Sequence, residues 1–169
     1  MQKRVVFKKG RFVVTRKGSF VLKLAGDLAR SLEPYCRKIK IAGSIRRKNK
    51  NPVDIDIVVI PKTNNKIKLE EFLRKKGKFT RGGEKQATFR IKGVRVELYY
   101  TTPEEFGATL LAYSSRAGAG IGLRIFAKMK GFKLNQYGLF NKNGKRIAGR
   151  TEQEIYHALG RKWKLPEKR

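Results

Sequence analysis

The sequence predicts an α+β fold in two parts, and three observations predict it. Short β-prone runs of alternating polarity recur between residues 5 and 101, one amphipathic stripe between residues 19 and 32 marks a helix, and from Thr102 onward helix starts take the lead. The switch places a boundary near residue 101, giving a first part, 1–101, and a second, 102–169. At 169 residues the chain has room for one domain or two small subdomains.

Val5–Phe7 and Phe12–Thr15 surround Lys8-Lys9-Gly10 and read as an exposed amino-terminal hairpin with charged edges. Ser19 precedes Phe20, Val21, Leu24, Ala25, Leu28 and Leu32, a stripe that gives a helix ending before Pro34 and packing under a sheet. Ile39–Ala42 is a strand running into Gly43-Ser44, and Val53–Ile60 is a second, stopped by Pro61. Ile67, Leu69, Phe72 and Leu73 predict a short basic helix closed by Gly77. Gln86–Ile91 and Val94–Thr101 flank Lys92-Gly93, a two-residue hairpin turn in which glycine takes positive φ.

Thr102-Pro103-Glu104-Glu105 predicts a helix start, with Thr102 as cap, Pro103 in the first turn and Glu105 completing a capping box. That helix runs through Ala112. Gly118, Gly120 and Gly122 then read as a glycine-rich hinge, since no Gly-Lys-Ser/Thr follows to make a phosphate loop. A basic helix ending at Gly131, strand pieces at Phe132–Asn135 and Leu139-Phe140, and a helix opened by the box Thr151-x-x-Glu154 and closed by Gly160 complete the chain.

Lysine and arginine number 42 against 13 acidic residues, a net charge of +29, and no carboxylate precedes Asp27. A polyanion is the expected partner. The basic residues are interleaved with strand-like apolar ones and not gathered beside a long apolar run, which favours nucleic acid over a membrane surface. The longest apolar stretches fall far short of the ~20 residues of a spanning helix, and the amino terminus lacks the apolar core of a signal peptide. The chain therefore reads as soluble and intracellular, cytoplasmic or viral. Cys36 and His157 are single, which excludes internal disulfides and a Cys/His zinc cluster. Any catalytic metal must be held by oxygen.

Asp54-Ile55-Asp56 is the sharpest local signal, because residues i and i+2 of a strand share a face and bring two carboxylates to one spot. A bare D-x-D is more often a solvent-facing strand. Its neighbours change that reading. Upstream, Gly43-Ser44-Ile45-Arg46-Arg47 is a turn whose backbone N–H groups, hydroxyl and arginines suit phosphate oxygens. Downstream, Glu97 lies between Val96 and Leu98 and supplies a third carboxylate if its strand neighbours that of Asp54.

G-S-x-R-R, then V-D-I-D, then V-R-V-E resembles the palm of the family X DNA polymerases of the nucleotidyltransferase superfamily. Pro103-Glu104-Glu105-Phe106-Gly107, Leu123-Arg124, Lys133-Leu134-Asn135-Gln136-Tyr137-Gly138-Leu139-Phe140, Arg146-Ile147-Ala148-Gly149 and Leu165-Pro166-Glu167-Lys168-Arg169 are similar to the family's carboxy-terminal subdomain in order and spacing. The length suggests its compact viral members. The resemblance implies a mixed palm sheet backed by helices and a small carboxy-terminal α/β subdomain.

It further implies that Asp54 and Asp56 ligate two metal ions and that Glu97 ligates the catalytic one, in place of the family's third aspartate. Mg²⁺ is the expected ion, with Mn²⁺ as a substitute. Gly43, Ser44, Arg47 and Tyr113 would bind the incoming nucleotide, and Arg124, Lys133 and Tyr137 the DNA. The implied partners are dNTPs and gapped or nicked duplex DNA, with a DNA ligase assisting a monomeric enzyme and no membrane involved.

Three departures qualify the expected activity. Glu97 is one methylene longer than aspartate, which predicts slower catalysis with better performance on Mn²⁺. The family's Tyr-Phe-Thr-Gly-Ser segment is replaced by Ala112-Tyr113-Ser114-Ser115-Arg116, where Tyr113 is either a barrier to a 2′-hydroxyl or a core aromatic, so the choice of sugar stays open. Gly120 stands where relatives carry an asparagine contacting the base edge, which predicts low fidelity. Only a hairpin and a helix precede Gly43, leaving no space for the family's lyase domain. The leading expectation is short-gap filling in repair. Template-independent or ribonucleotide transfer would use the same centre, and a non-catalytic DNA-binding protein would keep the scaffold without turnover.

Overall fold

The computed structural model describes residues 3–8 and 10–169. Lys9 of the expected hairpin turn lies outside the described residues. The chain forms two compact units, Met1–Tyr100 and Thr101–Arg169.

In the first unit, β1 (Lys3–Lys8) pairs antiparallel with β2 (Arg11–Arg16) as a separate two-stranded ribbon. Helix α1 (Gly18–Leu32) follows. Lys17 at its N-cap makes no side-chain cap hydrogen bond and its first turn carries no acid. The helix is therefore held by its buried stripe, Val21, Leu24, Ala25, Leu28 and Leu32, as most protein helices are. Strand β3 (Cys36–Ile41) leads into the four-residue helix α2 (Gly43–Arg46), and then come β4 (Asp54–Pro61), α3 (Asn65–Lys76), β5 (Gly77–Gly82), β6 (Gln86–Ile91) and β7 (Val94–Tyr100).

These five strands form one sheet in the order β3-β4-β7-β6-β5, with β4 and β7 parallel and the other neighbours antiparallel. One face carries Ile55, Ile57, Val59, Phe89, Val96 and Leu98 into a core with α1 and with Leu69 and Leu73 of α3. Fully burying each such side chain is worth about 1.5–3 kcal/mol. Because side chains alternate, the charged residues between them are forced to the opposite face.

Strand β5 is missing from the sequence expectation. It is bounded by glycines and mostly exposed, with no buried residue, so it carries little of the apolar alternation that marks a strand. Gly77 at its start lies where an added Cβ would meet the Arg90 carbonyl and Ile91 Cα, a close backbone approach that lets α3 pass directly into the sheet. The Lys92–Gly93 turn forms as expected, with φ of 48° and 81°, the two positive values that a tight hairpin turn requires.

The second unit contains α4 (Phe106–Ser114), α5 (Ala117–Met129), a three-stranded antiparallel sheet in the order β10-β9-β8 (Arg146–Ala148, Gly138–Phe140, Lys133–Asn135) and α6 (Glu152–Ala158). Ala108, Leu111, Leu123, Ala127, Leu139, Ile155 and Leu159 form its core. The Thr151 and Glu154 capping box is present with both reciprocal hydrogen bonds.

Two expectations are corrected here. The glycine-rich hinge does not exist, because Gly118, Gly120 and Gly122 all lie inside α5. Glycine costs a helix about 1 kcal/mol relative to alanine, and burial of Leu123 and Ala127 on the same helix offsets it. The capping box at Thr102 is also absent. The helix starts at Phe106 with no side-chain cap, the Glu105 N–H donates to the Thr102 carbonyl at 3.1 Å, and the Glu105 carboxylate instead accepts from Arg146 at 3.0 Å. A guanidinium outcompetes a backbone N–H for that carboxylate.

Candidate active site

Parallel pairing of β4 with β7 sets Asp54 opposite Arg95 and Asp56 opposite Glu97. Opposed residues share a face, so Asp54, Asp56 and Glu97 stand together on the side of the sheet turned away from the core. The positions of β7 alternate between buried Val94, Val96 and Leu98 and the functional face of Arg95, Glu97 and Tyr99. The Tyr99 hydroxyl donates to Asp56 Oδ1 at 3.3 Å. Glu97, 13% exposed, accepts from Arg95 at 2.6 Å and lies 3.8 Å from Arg81.

Asp56 is the electrostatic centre of this group. Burial, then the charges of Asp54 and Glu97, push its carboxyl up to about 6, while the Tyr99 hydrogen bond and Arg95 pull it down. Like charges in a half-dry site oppose ionisation, and a cation would remove that opposition.

Gly43 explains how the turn before β4 reaches this centre. Its φ is +60° and a Cβ would overlap the Asp56 carboxyl group, so only glycine fits. The Ala42 N–H donates to the Asp56 carbonyl at 2.8 Å, fastening the end of β3 to β4. Ser44 lies in α2 and Arg47 at its C-cap, both half-buried. The structure thus brings Gly43, Asp54, Asp56 and Glu97 together, with Ser44 and Arg47 on the turn that starts at Gly43.

Tyr113, Arg124, Lys133 and Tyr137 belong to the other unit. Tyr113 is half-buried near the end of α4, Arg124 is exposed on α5, and Lys133 is exposed at the start of β8. Tyr137 is half-buried in the β8–β9 turn, where its N–H donates to Asn135 Oδ1 at 2.8 Å. Sequence reasoning missed Arg95 and Tyr99. Their signal was the i−2 and i+2 spacing from Glu97, which places all three on one face.

Oxygen donors alone are present, the chemistry of a hard divalent cation, and the repulsion at Asp56 fits such an ion. Among the described residues no three carboxylate, imidazole or thiol side chains are grouped so that together they could hold a metal ion, with Glu97 turned to Arg95.

A mixed sheet with strand-paired carboxylates on its open face and a glycine turn beside them defines a nucleotidyltransferase palm. The DNA polymerase beta thumb model matches residues 120–169. The chain is 31% identical over 142 residues to the Repair DNA polymerase X of a Kenyan pig isolate of African swine fever virus, covering 79% of this chain and 82% of that protein. It is 29% identical, with the same coverage, to the Repair DNA polymerase X of the Badajoz strain. A crystal structure of Leishmania infantum polymerase beta in a ternary P/T complex superposes with a TM-score of 0.78 at 19% identity, covering 90% of this chain and 76% of that one. The chain belongs to the family X DNA polymerases.

Proposed function

We propose that this chain extends the 3′-hydroxyl of a primer with deoxynucleotides under direction of a template, filling short gaps in duplex DNA during repair. The observation that carries the reading is the register of Asp56 against Glu97 with Asp54 two residues away on the same face. Gapped or nicked DNA and dNTPs are the substrates, the chain acts as a monomer, and a DNA ligase seals the product. No helix among the described residues is long and apolar enough to cross a membrane.

Asp54, Asp56 and Glu97 would hold divalent ions, Mg²⁺ by preference for oxygen donors and Mn²⁺ as a substitute. When bound, the ions neutralise phosphate charge and acidify the attacking hydroxyl. Asp56 must be ionised for this, and Tyr99 fixes the orientation of its carboxylate. Glu97 must exchange Arg95 for the ion, and its extra methylene supplies the reach. Gly43 leaves the space in which Asp56 sits, and Ser44 and Arg47 contact the triphosphate of the incoming nucleotide. Phosphoryl transfer needs positioning and charge neutralisation more than proton shuttles, which suits a chain with one histidine and one cysteine. On the second unit, Tyr113 contacts the sugar, and Arg124, Lys133 and Tyr137 contact DNA. Gly120 offers no side chain to test the base edge, which predicts frequent misinsertion.

Extension of a one-nucleotide-gapped duplex with each deoxy and ribo nucleotide tests this. Templated incorporation by the wild type, lost in Asp56→Ala with DNA affinity retained, is expected. Equal inactivity of both proteins with Mg²⁺ and Mn²⁺ overturns it.

A further inference from the structure

The first two strands are not part of the palm sheet. Among the described residues β1 and β2 pair only with each other, from Lys3 opposite Arg16 to Lys8 opposite Arg11. At about 3.4 Å per residue the ribbon extends about 20 Å. Lys3, Val5 and Phe7 alternate to one face and all are exposed, Val5 63% and Phe7 65%, while Val6 on the other face is half-buried. A two-stranded ribbon is marginally stable in water on its own, and apolar residues left in solvent add nothing to it. Val5 and Phe7 gain their burial only from a partner.

The root of the ribbon is fixed at the end of the palm sheet where the carboxylate strands begin. Arg16 Nε donates to the Lys92 carbonyl at 3.0 Å, and the guanidinium lies 5.7 Å from the centre of the Phe20 ring. Lys92 and Gly93 form the turn directly before β7, whose second residue, Arg95, pairs with Asp54. Two residues beyond Arg16, Gly18 is pressed against the segment before β4, where a Cβ would meet the Lys50 carbonyl at 2.5 Å and Asn51 Cα at 2.7 Å. Asn51 is three residues from Asp54, a span of at most about 11 Å. The register sets Arg16 on the face of Lys3, Val5 and Phe7, so that face is continuous with the end of the sheet that carries Asp54.

Charge and shape together select the occupant. Seven cations and no carboxylate fall within residues 1–17, which repels the same ribbon of a second copy and suits a polyanion. Two strands about 4.8 Å apart fit the major groove of B-DNA, which is about 12 Å wide and admits a two-stranded ribbon, whereas the minor groove is about 6 Å wide. The major groove also presents the thymine methyl group, which takes apolar contact. We infer that the ribbon enters the major groove of the duplex beside the Asp54 and Asp56 carboxylates, with Val5 and Phe7 against the base edges and Lys3 and the other cations of the ribbon neutralising phosphates at the rims. This rests on the polymerase reading for the duplex it names, and it needs no turnover.

The test is a chemical footprint and a binding titration on gapped duplex DNA without added nucleotide. Wild type should protect guanine N7, a major-groove atom, over one stretch of about half a helical turn. Val5→Ser combined with Phe7→Ser should lose that protection and keep the others. Uracil in place of thymine, which deletes the methyl group, should weaken wild-type binding about fourfold at one or two positions of the stretch, the worth of one methyl group, and leave the double variant unaffected. Because the uracil change is made in the DNA, it reads the contact even where the double variant loses its ribbon. Lys3→Gln should make the salt dependence of binding shallower by about 0.9. If no N7 protection depends on Val5 and Phe7 and every uracil duplex binds wild type equally, the inference is wrong. If the double variant turns a dimer into a monomer in sedimentation and leaves the footprint intact, the face joins two copies and the inference fails. Absence of templated extension with the N7 and uracil signatures present would overturn the polymerase reading and support this one.

Discussion

Gly43 and Asp56 occupy one space: the position a Gly43 side chain would take is filled by the Asp56 carboxyl group, and the Gly43 backbone at φ +60° is shaped to allow it. Gly43→Ala is therefore expected to displace the carboxylate and reduce kcat at least a hundredfold. The left-handed backbone adds about 1–2 kcal/mol of destabilisation. Gly144→Ala separates the two effects, since Gly144 has φ +73° with nothing near its Cβ. It should lose stability alone, and single-turnover kinetics beside thermal melts would distinguish the pair.

The raised Asp56 pKa gives a pH dependence of defined sign. Its folded value of about 6 lies above the ordinary 3.8, so the native state prefers the protonated carboxyl. The stabilisation is complete below 3.8 and is lost as pH rises through about 6. It amounts to at most about 3 kcal/mol. Metal-free protein should lose Tm across that interval, and Asp56→Asn should flatten the profile. The affinity of the metal-free protein for Mn²⁺ should move the opposite way, rising through pH about 6 as the ionised ligand appears. A Tm that climbs over the same interval in EDTA would refute the assignment.

Glu97 faces two demands, the ion pair with Arg95 and the proposed metal. Glu97→Asp is expected to retain extension with an altered Mg²⁺ to Mn²⁺ ratio, because the shorter arm cannot serve both partners equally. Glu97→Gln should reduce the rate by two orders of magnitude or more. Unchanged primer extension in both variants would remove Glu97 from the ligand set.

Gly120 has room for a side chain, its Cβ position lying 3.5 Å from the Ser115 Cβ, an ordinary contact. Gly120→Asn should fold, gain a few tenths of a kcal/mol from helix propensity and lower misinsertion severalfold. A misinsertion ratio identical to that of wild type would show that the missing side chain is not the source of error.

Arg169 makes a bidentate pair with Glu152 at 2.8 and 3.0 Å, both side chains almost fully buried. Breaking one half of such a pair costs about 3–5 kcal/mol. Glu152→Gln should lower the melting temperature sharply and leave the palm carboxylates untouched. A melt within a degree of wild type would contradict the burial.

The sheet and the carboxylate pair were legible in the sequence because a period of two does double duty. It buries Ile55 and Ile57 and in the same stroke turns Asp54 and Asp56, both half-buried, to the other face. The partners of that pair were less legible, since which residue faces Asp56 depends on a register between strands far apart in the chain. Arg95 and Tyr99 were visible only as neighbours of Glu97. The glycines of α5 misled for a related reason. Local propensity argued for a hinge, and the burial of Leu123 and Ala127 decided for a helix.

The parallel pairing of β4 with β7 carries a kinetic consequence. Residues 62–93, with α3, β5 and β6, intervene between the two strands, so Asp56 and Glu97 meet only after a long loop has closed, and non-local closures are slow. During refolding the two-strand ribbon and α1 can form while the carboxylates are still apart. The chain should therefore regain helical signal before it regains any capacity to bind Mn²⁺.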